Sequence, residues 1–263
     1  MTLFVKVASA LVFVAAASTG GYYLLSSGND RVFVIKDKNS FNTLYTEEMF
    51  GNDYSQYMVD PDRYENKKWW EESFKKFKSA SSSTTLSNEF QVQNITLAYS
   101  DDESTTPIKS LNKACKAALL SNQTEIDKKA NYEDNVWSFC SVINTRRKFS
   151  SKDNYTSKVG GLEIYKNKTV SVKAANDKYN SSFWETRNKE FFDEINSGYS
   201  GSMASKDSIF SDLYKKKLNR GEEDTIKKTC EKAYEASSLD LEEPKMKDSD
   251  VALFCFLIPE VRK

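Results

Sequence analysis

The sequence predicts a mainly α-helical protein: an N-terminal transmembrane helix, then two tandem homologous helical modules, with a short β-hairpin. Three observations predict it. An uncharged run stands near the amino terminus, two cysteine pairs share one spacing and one offset, and apolar residues recur at helical intervals.

Residues 7–25, VASALVFVAAASTGGYYLL, carry no charge over 19 positions. At ~1.5 Å per helical residue such a run crosses a hydrocarbon core of ~30 Å. Lys6 precedes it, and Tyr22 and Tyr23 fall where an interfacial aromatic belt belongs. The reading carried forward is an uncleaved signal anchor over residues 1–30, which partners the membrane through residues 7–25. The competing reading makes residues 7–17 the apolar region of a cleaved signal peptide, with small residues at 15–18 as the cleavage site. In both, the bulk of the chain is extracellular; in the first, the protein is single-pass in the cell membrane.

The cysteines reveal the repeat. Cys115 and Cys140 are 25 positions apart, as are Cys230 and Cys255, and the pairs are offset by 115. The same shift matches Trp69 with Trp184, Phe77 with Phe192, Lys113 with Lys228, Val136 with Val251 and Phe139 with Phe254. Copy one is expected over residues 31–145 and copy two over 146–263. Between matched blocks the copies diverge, most of all at 78–106 against 193–221. So long a period means duplicated domains, not a solenoid of short repeats.

The matched blocks read as helices. YENKKWWEESFKKF (64–77) puts Trp70, Phe74 and Phe77 on one helical face; YNSSFWETRNKEFF (179–192) does so with Trp184, Phe191 and Phe192. Next come Leu111, Cys115, Ala118 and Leu119, echoed by Ile226, Cys230, Ala233 and Tyr234. Thr106-Pro107 offers a start for the first of these, and Glu222, Glu223 and Asp224 give the second an acidic first turn. VWSFCSVI (136–143) and VALFCFLI (251–258) repeat i, i+3, i+4, i+7, with Asp134 and Asp250 as candidate caps. A strand reading of such short apolar runs stays open. GLEIYKNKTVSVK (161–173) reads as the hairpin. The expected core is Trp69, Phe77, Phe139, Trp184, Phe192 and Phe254.

Each module thus places one cysteine on each of two buried helical stripes. Given the extracytoplasmic setting, the preferred reading pairs Cys115 with Cys140 and Cys230 with Cys255 as disulfides. Packed free thiols and a Cys₄ zinc site are the alternatives, the latter lacking its close C-x₂₋₄-C spacing.

Composition removes several function classes. Positive and negative charges balance at 38 each, so no global charge favours nucleic acid, and no nucleic-acid partner is expected. Histidine is absent, which excludes Ser-His-Asp and Cys-His catalysis and the histidine zinc motifs. No phosphate-binding glycine motif occurs, and GYSG at 198–201 misses the nucleophile elbow by one residue, reading instead as a flexible loop. KKWWEESFKKFK (67–78) mixes basic and aromatic residues, yet its periodicity is that of a packed amphipathic helix. Glu47-Glu48, Glu71-Glu72 and Asp101-Asp102-Glu103 read as solvated acids, as Lys215-Lys216-Lys217 reads as a solvated basic run. No catalytic, cofactor-binding or metal-binding residue is expected, and no cofactor; the chain is read as a non-enzyme.

With the repeat laid out, the chain resembles the large paralogous families of uncharacterised proteins in hemotropic mycoplasmas. TGGYYLL closing the apolar segment, a Trp-headed helix (Trp69, Trp184) and a K-x-C block followed by V-x-x-F/W-C carry the resemblance. The blocks are NKACKAALL with VWSFCSV and KKTCEKAY with VALFCFL; copy two departs at Ala252, where copy one has Trp137. The resemblance implies a membrane-anchored surface protein with a host partner or a role in antigenic variation. An interaction or antigenic protein without catalysis is the expected function. The alternatives are a surface hydrolase using a carboxylate pair, and a structural envelope protein with an envelope partner.

Overall fold

A computed structural model describes residues 31–80, 85–102, 107–193, 198–237 and 245–260, with two short pieces ahead of them. Those pieces, β1 (Phe13–Ala15) and β2 (Tyr22–Leu24), pair antiparallel, and β2 pairs with β3 (Arg31–Val32). The rest of the expected membrane-spanning segment over residues 7–25 lies outside the described residues. Among the described residues no helix is long and apolar enough to cross a membrane. The fold is mainly helical, and the chain divides into two compact units, Met1–Arg146 and Arg147–Lys263.

Unit one contains α1 (Phe41–Leu44), α2 (Phe50–Asp53), α3 (Lys67–Ala80), α4 (Leu111–Leu119), α5 (Gln123–Asp127) and α6 (Tyr132–Cys140). The apolar stripe of α4 packs on α6 and α2, while α3 lies on α6 through Phe77 against Phe139 and the Ser73 hydroxyl, which donates to Phe139 O. Cys115 on α4 is bonded to Cys140 at the end of α6, with Cα atoms 5.6 Å apart. Here the helix stops. Ser141 and Val142 continue in extended form, bridging Met58, so VWSFCSVI is helix for five residues and strand-like after them. The Val59 N–H donates to Cys140 O (2.9 Å) and the Val142 N–H to Tyr57 O (2.9 Å).

Unit two contains α7 (Asp177–Phe192), α8 (Ile209–Lys215), α9 (Ile226–Glu235) and α10 (Asp248–Phe254). Cys230 on α9 is bonded to Cys255 just past α10, Cα atoms 5.8 Å apart. Phe256 turns extended and bridges Thr169; the Val170 N–H donates to Cys255 O (3.0 Å) and the Leu257 N–H to Lys168 O (2.8 Å).

Buried polar pins recur in both units. Asn66, 1% exposed, donates to Phe33 O and Asp60 O and accepts the Phe33 N–H; Asn180, fully buried, does the same with Lys148 and Ser171 O. Asn135 Oδ1 accepts the Ser87 N–H (2.8 Å), and Asp250 accepts the Ser205 N–H (3.0 Å). Glycine lets one turn of each unit press against the helix behind it. A Cβ on Gly51 would lie 2.8 Å from Leu119 O, and one on Gly160 would lie 2.7 Å from Tyr234 Cβ.

The structure corrects several local expectations. The α3 and α7 helices match at an offset of 114, not 115: Trp70 corresponds to Trp184 and Phe77 to Phe191, each buried, with Trp69 and Phe183 edge-on beside the tryptophans. Phe192 is therefore half-buried and outside the core, while Trp69, Phe77, Phe139, Trp184 and Phe254 are buried. Phe74 is half-buried too. No hairpin forms over residues 161–173; the segment makes 3-10 turns at Val159–Gly161 and Glu163–Tyr165, and its end pairs with Phe149 and Phe256 instead. Pro107 precedes α4 by several residues, and Ser110 takes the cap position. Thr225 caps α9, and the acids at 222–224 lie ahead of that helix. Asp134 and Asp250 sit inside the first turns of α6 and α10. Gly201 is buried between Phe191 and Tyr214, so GYSG ends in a packed turn.

Candidate functional site

The unit-one turn after Val59 reads Asp60-Pro61-Asp62, a combination suited to tight turns because proline presets φ and an aspartate side chain caps the backbone two residues on. Asp60 Oδ1 accepts the Asp62 N–H (3.1 Å). Two buried asparagines fix the turn: Asn66 Nδ2 donates to Asp60 O (3.0 Å), and Asn112 of α4 donates to Pro61 O (2.9 Å). The turn is thus held rigidly against the start of α3 and the start of α4.

Around it gathers an ion cluster. Asp62 Oδ2 receives Lys38 Nζ at 2.9 Å and Oδ1 receives Lys116 Nζ at 2.8 Å, with Lys113 Nζ at 3.8 Å. Lys38 also reaches Asp60 Oδ1 at 3.4 Å. The two carboxylates are driven apart electrostatically. Burial pushes Asp60 up, against its backbone hydrogen bond and Lys38. Burial also acts upward on Asp62, but the hydrogen bonds from Lys116 and Lys38 outweigh it, leaving Asp62 below its ordinary value.

The cluster floors an open cleft of about 420 Å³, rimmed by Asp37, Asn39, Ser40, Arg63, Tyr64 and Glu65. Tyr64 is 63% exposed at the lip. Tyr99 stands edge-on behind it, ring centroids 6.3 Å apart at 80°, and Lys67 Nζ lies 5.7 Å from the Tyr64 ring. A second unit-one cleft, of about 490 Å³, is walled by Asn88, Gln93, Asn94, Ile108, Ala117 and Tyr132, so the divergent 78–106 segment contributes much of its lining.

Unit two builds the same turn from other residues. Ser171 stands where unit one has Asp60 and Lys173 where it has Asp62: Ser171 Oγ accepts the Lys173 N–H (3.3 Å), and Ser171 O takes the Trp184 indole N–H (3.1 Å). Its own anomaly is Arg187, 4% exposed, at the place of Ser73 in unit one. Nη2 donates weakly to Phe256 O (3.4 Å), Nε is 3.8 Å from Glu190, and neither Nε nor Nη1 has a hydrogen-bond partner among the described residues. Burial lowers the Arg187 pKa, with Glu190 acting the other way.

The sequence-predicted residues fall into two groups. Cys115, Cys140, Cys230 and Cys255 are brought together in pairs and serve the scaffold. The acids singled out, Glu47-Glu48, Glu71-Glu72 and Asp101-Asp102, are exposed and stand outside the cleft linings. Asn180 heads an N-x-S triplet with Ser182, yet it is fully buried as a pin and closed to modification. Sequence reasoning missed the Asp60–Asp62 cluster; the D-P-D turn was its one local signal, since Lys38, Lys113 and Lys116 come from distant segments. Among the described residues no group of three or more His, Cys, Asp or Glu side chains is placed to hold a metal ion. No family model, no curated protein and no solved structure matches the chain.

Proposed function

We propose that the chain is a surface-displayed interaction protein of the kind its resemblance to the hemotropic-mycoplasma families implies: an anchor at residues 7–25 and two modules descended from one duplicated unit, outside the cell. One observation carries this reading. The covalent and polar pins recur in both units, whereas the residues facing the clefts do not. A scaffold held constant beneath changing surface loops is the economy of a recognition module. The disulfides support an oxidising location.

Protease treatment of intact cells displaying the chain, with thiol mapping of the released peptides, tests it. Release of fragments from residues 31–263 carrying 115–140 and 230–255 links is expected. Protection of that region, or free thiols, overturns the proposal. A carboxylate hydrolase is the second reading, favoured by the opposite pKa shifts of Asp60 and Asp62. It is weakened by the lysines that occupy Asp62 and by the burial of Asp60, 3% exposed.

A further inference from the structure

We infer that the Asp60–Asp62 cleft of unit one binds an uncharged saccharide, with Tyr64 as the stacking platform and the fixed polar groups around Asp62 as hydroxyl partners. The inference deepens the interaction reading and rests on it only for where the ligand is met.

Four observations converge. The cleft is shallow and open, of a size to seat one or two sugar rings. Its lip carries Tyr64, 63% exposed, with Tyr99 edge-on to its ring and the Lys67 ammonium 5.7 Å from its centroid; an amphipathic aromatic face suits the C–H face of a sugar. Its charges cancel: Asp37, Asp60, Asp62 and Glu65 are met by Lys38 and Arg63 in the lining and by Lys113 and Lys116 behind it. No excess field draws a cation or an anion, while a dense array of donors and acceptors stays in place for hydroxyls. Finally, the fold does not require the cluster, because unit two makes the same turn with Ser171 and Lys173.

The ligand is held and not cleaved. Asp62 is engaged by Lys38 and Lys116 with Lys113 nearby, and Asp60 is 3% exposed with its Oδ1 accepting from the Asp62 N–H and Lys38, so neither carboxylate is placed to attack an anomeric carbon or activate water.

Saturation-transfer NMR on the full chain tests this with lactose, chitotriose and maltotriose as neutral probes, and sialyllactose and a heparin hexasaccharide as charged ones. Transfer to ring protons of at least one neutral probe is expected. Tyr64→Ala weakens it about tenfold and Tyr64→Phe retains it, with both disulfides intact by thiol mapping. The inference is overturned by the absence of neutral binding, by binding of charged probes alone, by an unchanged affinity in Tyr64→Ala, or by release of new reducing ends. Protease exposure on intact cells reads the surface location separately, so failure of one leaves the other measurable.

Discussion

The turn after Val59 is Asp60-Pro61-Asp62 in unit one, and after Val170 it is Ser171-Val172-Lys173 in unit two. Both turns end with a side-chain oxygen accepting the N–H two residues on, and both are clamped by an asparagine from the following helix. What differs is the side chains the turn carries: two acids and their lysines in one, a hydroxyl and one lysine in the other. A backbone conformation is fixed by a few buried hydrogen bonds, so the exposed side chains on it are free to change.

The widest test of the parallel is covalent. Replacing Cys115 and Cys140 by alanine, or Cys230 and Cys255, opens a 25-residue loop in the unfolded chain and is expected to cost about 3.5 kcal/mol in either unit. Hydrogen exchange resolved by unit checks it, and a unit that ignores the loss breaks the comparison. Asn66→Ala and Asn180→Ala each strand buried backbone groups; losses of about 3 kcal/mol are expected, matched between the units in denaturant melts. Gly51→Ala and Gly160→Ala force a methyl against Leu119 O or Tyr234 Cβ, at about 2 kcal/mol each.

The remaining tests sharpen the difference. Replacing the pair together, Arg187→Met with Glu190→Gln, removes a buried guanidinium with two nitrogens that lack hydrogen bonds and leaves no unpaired acid, and is expected to stabilise unit two by about 1 kcal/mol; the equivalent position in unit one is already Ser73, whose hydroxyl donates to Phe139 O. The smallest effect is a pH dependence. Asp62 has its folded pKa below its unfolded one, so its contribution is present above about pH 4 and lost as pH falls through the folded value. Asp62→Asn should flatten that part of the acid limb in urea midpoints measured against pH, with no counterpart at Lys173.

The parts of this fold legible in the sequence are those written in local spacing. Leu111, Cys115, Ala118 and Leu119 are all buried because a helix must put them on one face, and so are Ile226, Cys230, Ala233 and Tyr234. Trp69 matched Trp184 by letter, but one residue more between α7 and α9 than between α3 and α4 makes Trp70 the packing counterpart; a one-residue slip in a helix is set by packing, which letters do not record. Residues 161–173 look like strands because Leu162 and Ile164, then Val170 and Val172, stand at alternate positions, yet tertiary pairing with Phe149 and Phe256 claimed only its end. Asp62 gave no sign of importance by itself. Its character comes from Lys38, Lys113 and Lys116, scattered over 79 positions (38 to 116) and joined only by folding.

Cys140 and Cys255 each close a helix, carry a sulfur bridge and offer a carbonyl to the neighbouring extended chain. Such a residue is a rivet through three layers. Severing its sulfur bond loosens helix, partner helix and extended strand in one event, so each unit should meet a reductant as a sharp threshold and not as gradual fraying.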